Sequence, residues 1–366
     1  MNAKNNILDT LLWLGSISKN AIPYSEVDML IITILEYQKL ETTPKEEFGK
    51  PIKELLSYAC PLNEDEVMGF EVNQVKLWKK VSASERYKDL KLLDAVGEKI
   101  IDDKGAEQYA AALFQDGSEY YLVYRGTDES LTGWKEDFNM AVCDEIPSEK
   151  RALESLEKVT KNIDGIHLLG HSKGGTLALY AALKAEEEVF NKIKDIYIFD
   201  APGLPDSLIE EKRWKRIESI THSFIPSSSV IGMLFNTTDN AVVVKSSSLG
   251  LLQHDAFTWL LSGGKFITQP DITYRSHKID STVKNFIKML DKNERETLVE
   301  VLYKVLKATE EENVWLMPEA AAKRFPEIKK AIAGLSVEEK KTLTSILITL
   351  EKARIETRRS SLNGWK

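Results

Sequence analysis

The chain of 366 residues has little cysteine: only Cys60 and Cys143. Two cysteines so far apart make neither a disulfide framework nor a metal-ligand spacing. Long hydrophobic runs are missing as well, since no window of the sequence approaches the roughly 20 apolar residues that a spanning helix needs. The net charge of −8 lacks the positive excess required to displace counterions from phosphates, which argues against a nucleic-acid partner. The apolar stretch from Ile7 to Ile17 is broken by Asp9 and Gly15 and leads to no small-residue cleavage site, so it does not read as a secretory signal. These absences together predict a soluble, cytoplasmic protein.

What is present divides into three regions: 1–104, charged and helix-leaning; 105–280, where β-rich runs alternate with helical patterns; and 281–366, helical again. The middle region carries the signature of a parallel sheet. Its expected strands are Tyr109–Phe114, Tyr120–Arg125, Ile166–Leu169, Ile196–Phe199, Ile220–Phe224 and Ala241–Val244. Ala152, Leu156, Val159 and Ile163 share one face of a helix between the second and third. In the last region Ser336-Val337-Glu338-Glu339 has the form of a capping box, followed by Leu343, Ile346, Leu347 and Leu350 at helical spacing. The first region is expected to pack on the middle one as a helical segment. The chain shows no internal repeat and no low-complexity tract.

The segment with most chemical content is Gly170-His171-Ser172-Lys173-Gly174-Gly175. A short apolar run, Ile166–Leu169, precedes it and an Ala- and Leu-rich helical run, Thr176–Leu183, follows it. Strand, G-x-S-x-G and helix in that order are the context of a nucleophile elbow. A sharp turn lifts the serine Oγ clear of the sheet, and Gly170 and Gly174 remove side chains that would collide across it. A glycine-rich link between strand and helix with no chemistry is the plain alternative, and the correct flanks on both sides weigh against it.

The elbow, together with Tyr124-Arg125-Gly126-Thr127 and Trp134…Asp137, resembles the class 3 (fungal-type) lipase family. The whole chain is similar to a bacterial family of lipase-3-like proteins. The features it shares with that family are an N-terminal segment like Glu26–Ile31, an Asp-x-Pro-Gly at Asp200–Gly203, and a Gln-His-Asp…Trp segment at Gln253–Trp259. The resemblance implies an α/β-hydrolase fold, mostly parallel, with N- and C-terminal helical extensions. It also implies an oxyanion hole formed by the amide of Lys173 and by Thr127.

The base must lie after Ser172 if the order Ser…Asp…His holds. His167 and His171 belong to the elbow and the strand leading to it, His222 lies inside an expected strand, and His277 falls at the end of the region. His254 follows the last expected strand, and the resemblance selects it. For the acid, class 3 lipases have an aspartate where this chain has Ser229, and a serine cannot offset an imidazolium. Asp200, at the carboxyl end of Ile196–Phe199, is favoured instead; capping the next turn is its other role. Asp239 and Asp255 are weaker candidates.

The expected function is a serine hydrolase acting through an acyl-enzyme on a lipid or small acyl ester, with no metal or organic cofactor. The same nucleophile also serves acyltransferases, thioesterases and amidases, and a non-catalytic interaction protein on this scaffold stays open. Residues 128–150 read equally as a lid over an acyl cleft or as a packing segment. The basic residues of the C-terminal helices admit a peripheral membrane contact, but Glu338, Glu339, Glu351 and Glu356 among them favour a solvated face.

Overall fold

A computed structural model describes residues 5–60, 67, 69–102, 105–128, 131–140, 145–229, 231–235, 238–273, 281–283, 285–286, 288–310 and 322–363. The chain forms two compact units, neither contiguous in sequence: one takes 1–98, 109–126 and 148–276, and the other 99–108, 127–147 and 277–366.

The chain forms an eight-stranded sheet, most of it in the first unit. Its strands in chain order are β1 (Lys91–Asp102), β2 (Gly105–Asp116), β3 (Glu119–Tyr124), β4 (Ile166–His171), β5 (Ile193–Phe199), β6 (Thr221–Pro226) and β7 (Val242–Val244). A short hairpin, β8 (Leu261–Ser262) and β9 (Lys265–Phe266), precedes β10 (Thr268–Gln269), which closes the sheet beside β7. From β1 to β7 the spatial order is the sequence order. Strands β3 to β7 are parallel, while β2 runs antiparallel to β3 and β10 to β7. All six expected strands are present. The region read as helix-leaning also contains one, β1, because Leu90, Leu92 and Leu93 belong to a strand approach and not to a helical stripe.

Right-handed crossovers between sequentially ordered parallel strands put the crossover helices of the first unit on the same face. That face carries α6 (Pro147–Thr160), α7 (Lys173–Lys184), α8 (Glu187–Phe190) and α9 (Glu211–Ile220). Their residues Leu156, Leu177, Ala181, Phe190 and Ile217 bury Leu122, Leu168, Ile196 and Ile198 of the sheet. The alternate residues of the same strands, Tyr121, Val123, Leu169 and Phe199, point the other way, as strand pleating dictates. They are covered by α1 (Ile7–Leu14), α2 (Glu26–Leu35), α3 (Leu56–Ala59) and α4 (Phe70–Ser82). α2 is buried from Val27 to Leu35, as expected of a helix inserted between a sheet and further chain.

One polar cluster locks this helical layer. Ser25 and Asp28 form the capping box of α2. Fully buried Asp28 also accepts from Arg86 Nε at 2.5 Å, from Arg86 Nη2 at 2.8 Å and from Tyr87 Oη at 2.6 Å. Arg86 Nη1 donates to the carbonyl of Ile22, and Nη2 also donates to that of Pro23. The pair is therefore fully hydrogen-bonded, the condition under which a buried ion pair is tolerated.

In the second unit, α5 (Leu131–Met140), α10 (Lys292–Lys307), α11 (Phe325–Ala333) and α12 (Val337–Asn363) form a helical cluster centred on α10. Lys135 pairs with Glu300 at 3.0 Å and lies over the Tyr303 ring. The predicted capping box forms: Glu339 N–H donates to Ser336 Oγ, and Ser336 N–H to the Glu339 carboxylate. Of the spaced apolar residues behind it, Ile346 is buried and Leu347 exposed. Among the described residues, no helix is long and apolar enough to cross a membrane.

Replacing Asp28 by alanine leaves a guanidinium and a phenol buried without their acceptor. We expect a loss of about 3–5 kcal/mol in urea unfolding, and a loss below about 1 kcal/mol would show that the cluster does not lock the layer.

Candidate active site

β4 ends at His171 and α7 begins at Lys173, leaving Ser172 alone to turn the chain. Its backbone has φ 57° and ψ −134°, outside the regions a serine prefers. Ser172 N–H donates to Phe199 O at 3.0 Å, and Ser172 O accepts from Gly175 N–H at 3.0 Å. The two elbow glycines are explained by close approach. A Cβ on Gly170 would lie 2.1 Å from the Gly174 carbonyl carbon, and one on Gly174 would lie 2.0 Å from the Tyr124 oxygen. Neither site admits a side chain.

Asp200 follows β5 directly, with φ 44°, a left-handed conformation that aspartate adopts more readily than most residues. Its N–H donates to Phe224 O at 2.7 Å, which hangs the residue between β5 and β6 at the carboxyl end of the sheet. The carboxylate is 1% exposed. Its Oδ2 lies 2.7 Å from His254 Nδ1, and its Oδ1 accepts from Ser229 Oγ at 2.6 Å and Gly232 N–H at 3.1 Å. Ser229, the residue that departs from the class 3 pattern, is thus a donor to Asp200. A carboxylate oxygen accepts, so the hydrogen of this contact lies on His254 Nδ1. Asp239 is exposed, and Asp255 caps the following turn through Phe257 N–H at 2.9 Å.

His254 ends a 3-10 turn, Gly250–His254, between β7 and β8. Its neighbours hold that turn. Gln253 Oε1 accepts from Ser228 N–H at 2.7 Å, and its backbone oxygen accepts from Trp259 Nε1 at 2.8 Å. The Gln-His-Asp…Trp segment is therefore one histidine flanked by three residues that shape its loop.

His171 lies below this turn, its ring centroid 4.6 Å from that of His254. Its Nε2 is 2.9 Å from the His254 carbonyl oxygen, and its Nδ1 is 2.7 Å from Tyr37 Oη. Burial, reinforced by the neighbouring His254, lowers the His171 pKa to about 3. His167 and His222 lie apart from the site. The first pairs with Glu119 at 3.0 Å and the second with Asp195 at 3.3 Å. His277 is outside the described residues.

The approach of β3 to the elbow is equally tight. Gly126, after β3, lies where an added Cβ would meet Tyr37 Oη at 2.1 Å and His171 O at 2.7 Å. Arg125 grips both Glu41 carboxylate oxygens, at 3.1 and 2.9 Å, and lies 3.6 Å from buried Glu36. Thr127 is the next residue in the chain. Lys173 is buried to 1% exposure, so its amine is not presented at the surface. The side chains of Trp134, Asp137 and Phe138, and residue Val142, are outside the described residues. Among the described residues Ser172 Oγ makes no hydrogen bond and no cluster of metal-binding side chains occurs.

The His171 ring has a consequence for stability. With a folded pKa of about 3 against 6.5 for an ordinary histidine, the unfolded chain binds the extra proton first as pH falls. Stability is present above about pH 6.5 and is lost toward pH 3 at about 1.4 kcal/mol per unit. His171→Gln should flatten that part of the unfolding-versus-pH curve; an unchanged slope would contradict the assignment.

Comparison with known proteins gives a family and a distant structural likeness. No curated protein matches the chain. Among solved structures it is similar to M37 lipase, at 17% identity and a TM-score of 0.37, over 58% of this chain and 70% of that one. The family model described as Mbeg1-like matches residues 81–304, more than half of the chain and a span that holds the elbow, Asp200 and His254. The protein belongs to the Mbeg1-like family, a family of lipase-3-like proteins.

Proposed function

We propose that the chain is a serine hydrolase of the lipase and esterase type, with Ser172 as nucleophile, His254 as base and Asp200 as acid. Two observations carry this reading: the buried Asp200 carboxylate lies 2.7 Å from His254 Nδ1, and Ser172 turns the chain in a strained conformation between strand and helix. Family membership supports the same class of chemistry.

In this reading His254 Nε2 takes the Ser172 hydroxyl proton as Oγ attacks the carbonyl carbon of an ester. The carbonyl oxygen gains negative charge and is met by the amide of Lys173, at the positive end of α7. His254 then returns the proton to the departing alcohol, and water, activated by the same ring, releases the acid from the acyl-enzyme. Asp200 offsets the imidazolium charge formed in both halves. Leu249 and Leu252, 83% and 56% exposed in the chain leading to His254, favour an ester with an apolar acyl group. Lipid or small acyl esters fit this site best.

Two measurements test the assignment. A fluorophosphonate should label the protein on one serine, and Ser172→Ala should abolish the label; persistence of the label would move the nucleophile elsewhere. Asp200→Ala should lower kcat by about 10³–10⁴. Ser229→Asp, which restores the class 3 residue, discriminates further. If Asp200 is the acid, a second carboxylate beside its Oδ1 repels it and activity falls. Higher activity in Ser229→Asp would instead make 229 the acid position.

A further inference from the structure

One hydroxyl of the α2 layer reaches the histidine beside Ser172. Tyr37, two residues beyond the end of α2, places its Oη 2.7 Å from His171 Nδ1. The opposite ring nitrogen, Nε2, is 2.9 Å from the His254 carbonyl oxygen. A carbonyl only accepts, so Nε2 carries hydrogen. The ring is buried and neutral, so Nδ1 holds a lone pair and Tyr37 must donate to it. The direction of every proton in this chain of contacts is thus determined: tyrosine to imidazole, imidazole to the backbone of the base.

Rotation or tautomer exchange of His171 breaks the chain. With hydrogen on Nδ1, the Nε2 lone pair would face the His254 carbonyl and repel it. Without the Tyr37 hydroxyl, Nδ1 is a buried acceptor with no donor, which removes the preference for the tautomer seen. Asp200 and His171 hold the His254 residue at two points, side chain and main chain. Only the second is set from the N-terminal helices.

We propose that Tyr37 is a positioning residue for the base: its hydroxyl selects the His171 tautomer that anchors the His254 backbone, so that the N-terminal helical layer takes part in catalysis. This rests on the reading of His254 as base. Tyr37 touches neither substrate nor Ser172 in this scheme and acts on the base through His171.

The test compares Tyr37→Phe with Tyr109→Phe in the full chain. Tyr109 loses a similar buried hydroxyl bond, to Ser155 Oγ at 2.6 Å, on the other face of the sheet. Both variants are followed by Tm, by kcat and KM on p-nitrophenyl butyrate, and by the rate of fluorophosphonate labelling; the His171 ring is followed by ¹⁵N NMR. Tyr37→Phe should lower kcat and the labelling rate together by about 10- to 100-fold. Its KM should stay within about twofold, and the ring nitrogen signals should shift toward a tautomer mixture. Tyr109→Phe should lower Tm alone. A Tyr37→Phe enzyme with wild-type kcat overturns the proposal, as does a wild-type spectrum with hydrogen on His171 Nδ1. The spectrum can be read whether or not the variant is stable enough for kinetics. A wild type that takes no label on Ser172 overturns the hydrolase reading itself, whereas a labelled wild type with an unaffected Tyr37→Phe overturns only the role of Tyr37.

Discussion

The handedness of strand crossovers governs this structure. Parallel strands laid down in sequence order and joined by right-handed connections place α6 to α9 on one face of the sheet and leave the other bare. A bare apolar face of this size is not stable in water, because burial of that surface is the main favourable term in folding. The chain solves the problem with its own N-terminus. Helices α1 to α4 form the second layer, and the Asp28–Arg86–Tyr87 cluster holds that layer in register without an unpaired buried charge.

The same constraint brings that layer to the candidate active site. Strand pleating sends His167, Leu169 and His171 of β4 to the N-terminal face, opposite to Leu168 and the crossover helices. The residue before the serine therefore faces α2, and Tyr37 and Glu36 meet His171 and Arg125 there. Glu36 is buried beside Arg125, and burial pushes its carboxyl well above the ordinary range, with Arg125 opposing that rise. Arg125 is bound more firmly by Glu41. A layer that fold logic requires for cover thus touches both the strand leading to Thr127 and the residue beneath His254.

Much of the fold was legible because its signals are local. Six short β-branched and aromatic runs became six strands, and Gly170-x-Ser172-x-Gly174 became a turn whose glycines are demanded by contacts of 2.0–2.1 Å. β1 was not legible: Leu90, Leu92 and Leu93 sit in charged surroundings where an apolar cluster fits a strand or a helix equally well. The partner of His254 was obscured for another reason. Ser229 looked like a missing partner because its sequence context matches one family pattern, but its role depends on Asp200, 29 residues earlier, turning toward it with a positive φ. Tyr37 had no sequence signal at all, since nothing local distinguishes a tyrosine that will meet a histidine 134 residues away.

By itself, the sequence determined the element types of the middle region, the parallel sheet and the elbow, because propensity, pleat period and glycine spacing act between near neighbours. Tertiary structure alone decided which face the N-terminal helices cover and that Asp200 pairs with His254. It alone gave Ser229 and Gly232 as donors to that carboxylate and joined His171 to Tyr37. Those are meetings of groups far apart in the chain. They arise only when the sheet order and the handedness of its connections have placed the strand ends and α2 together.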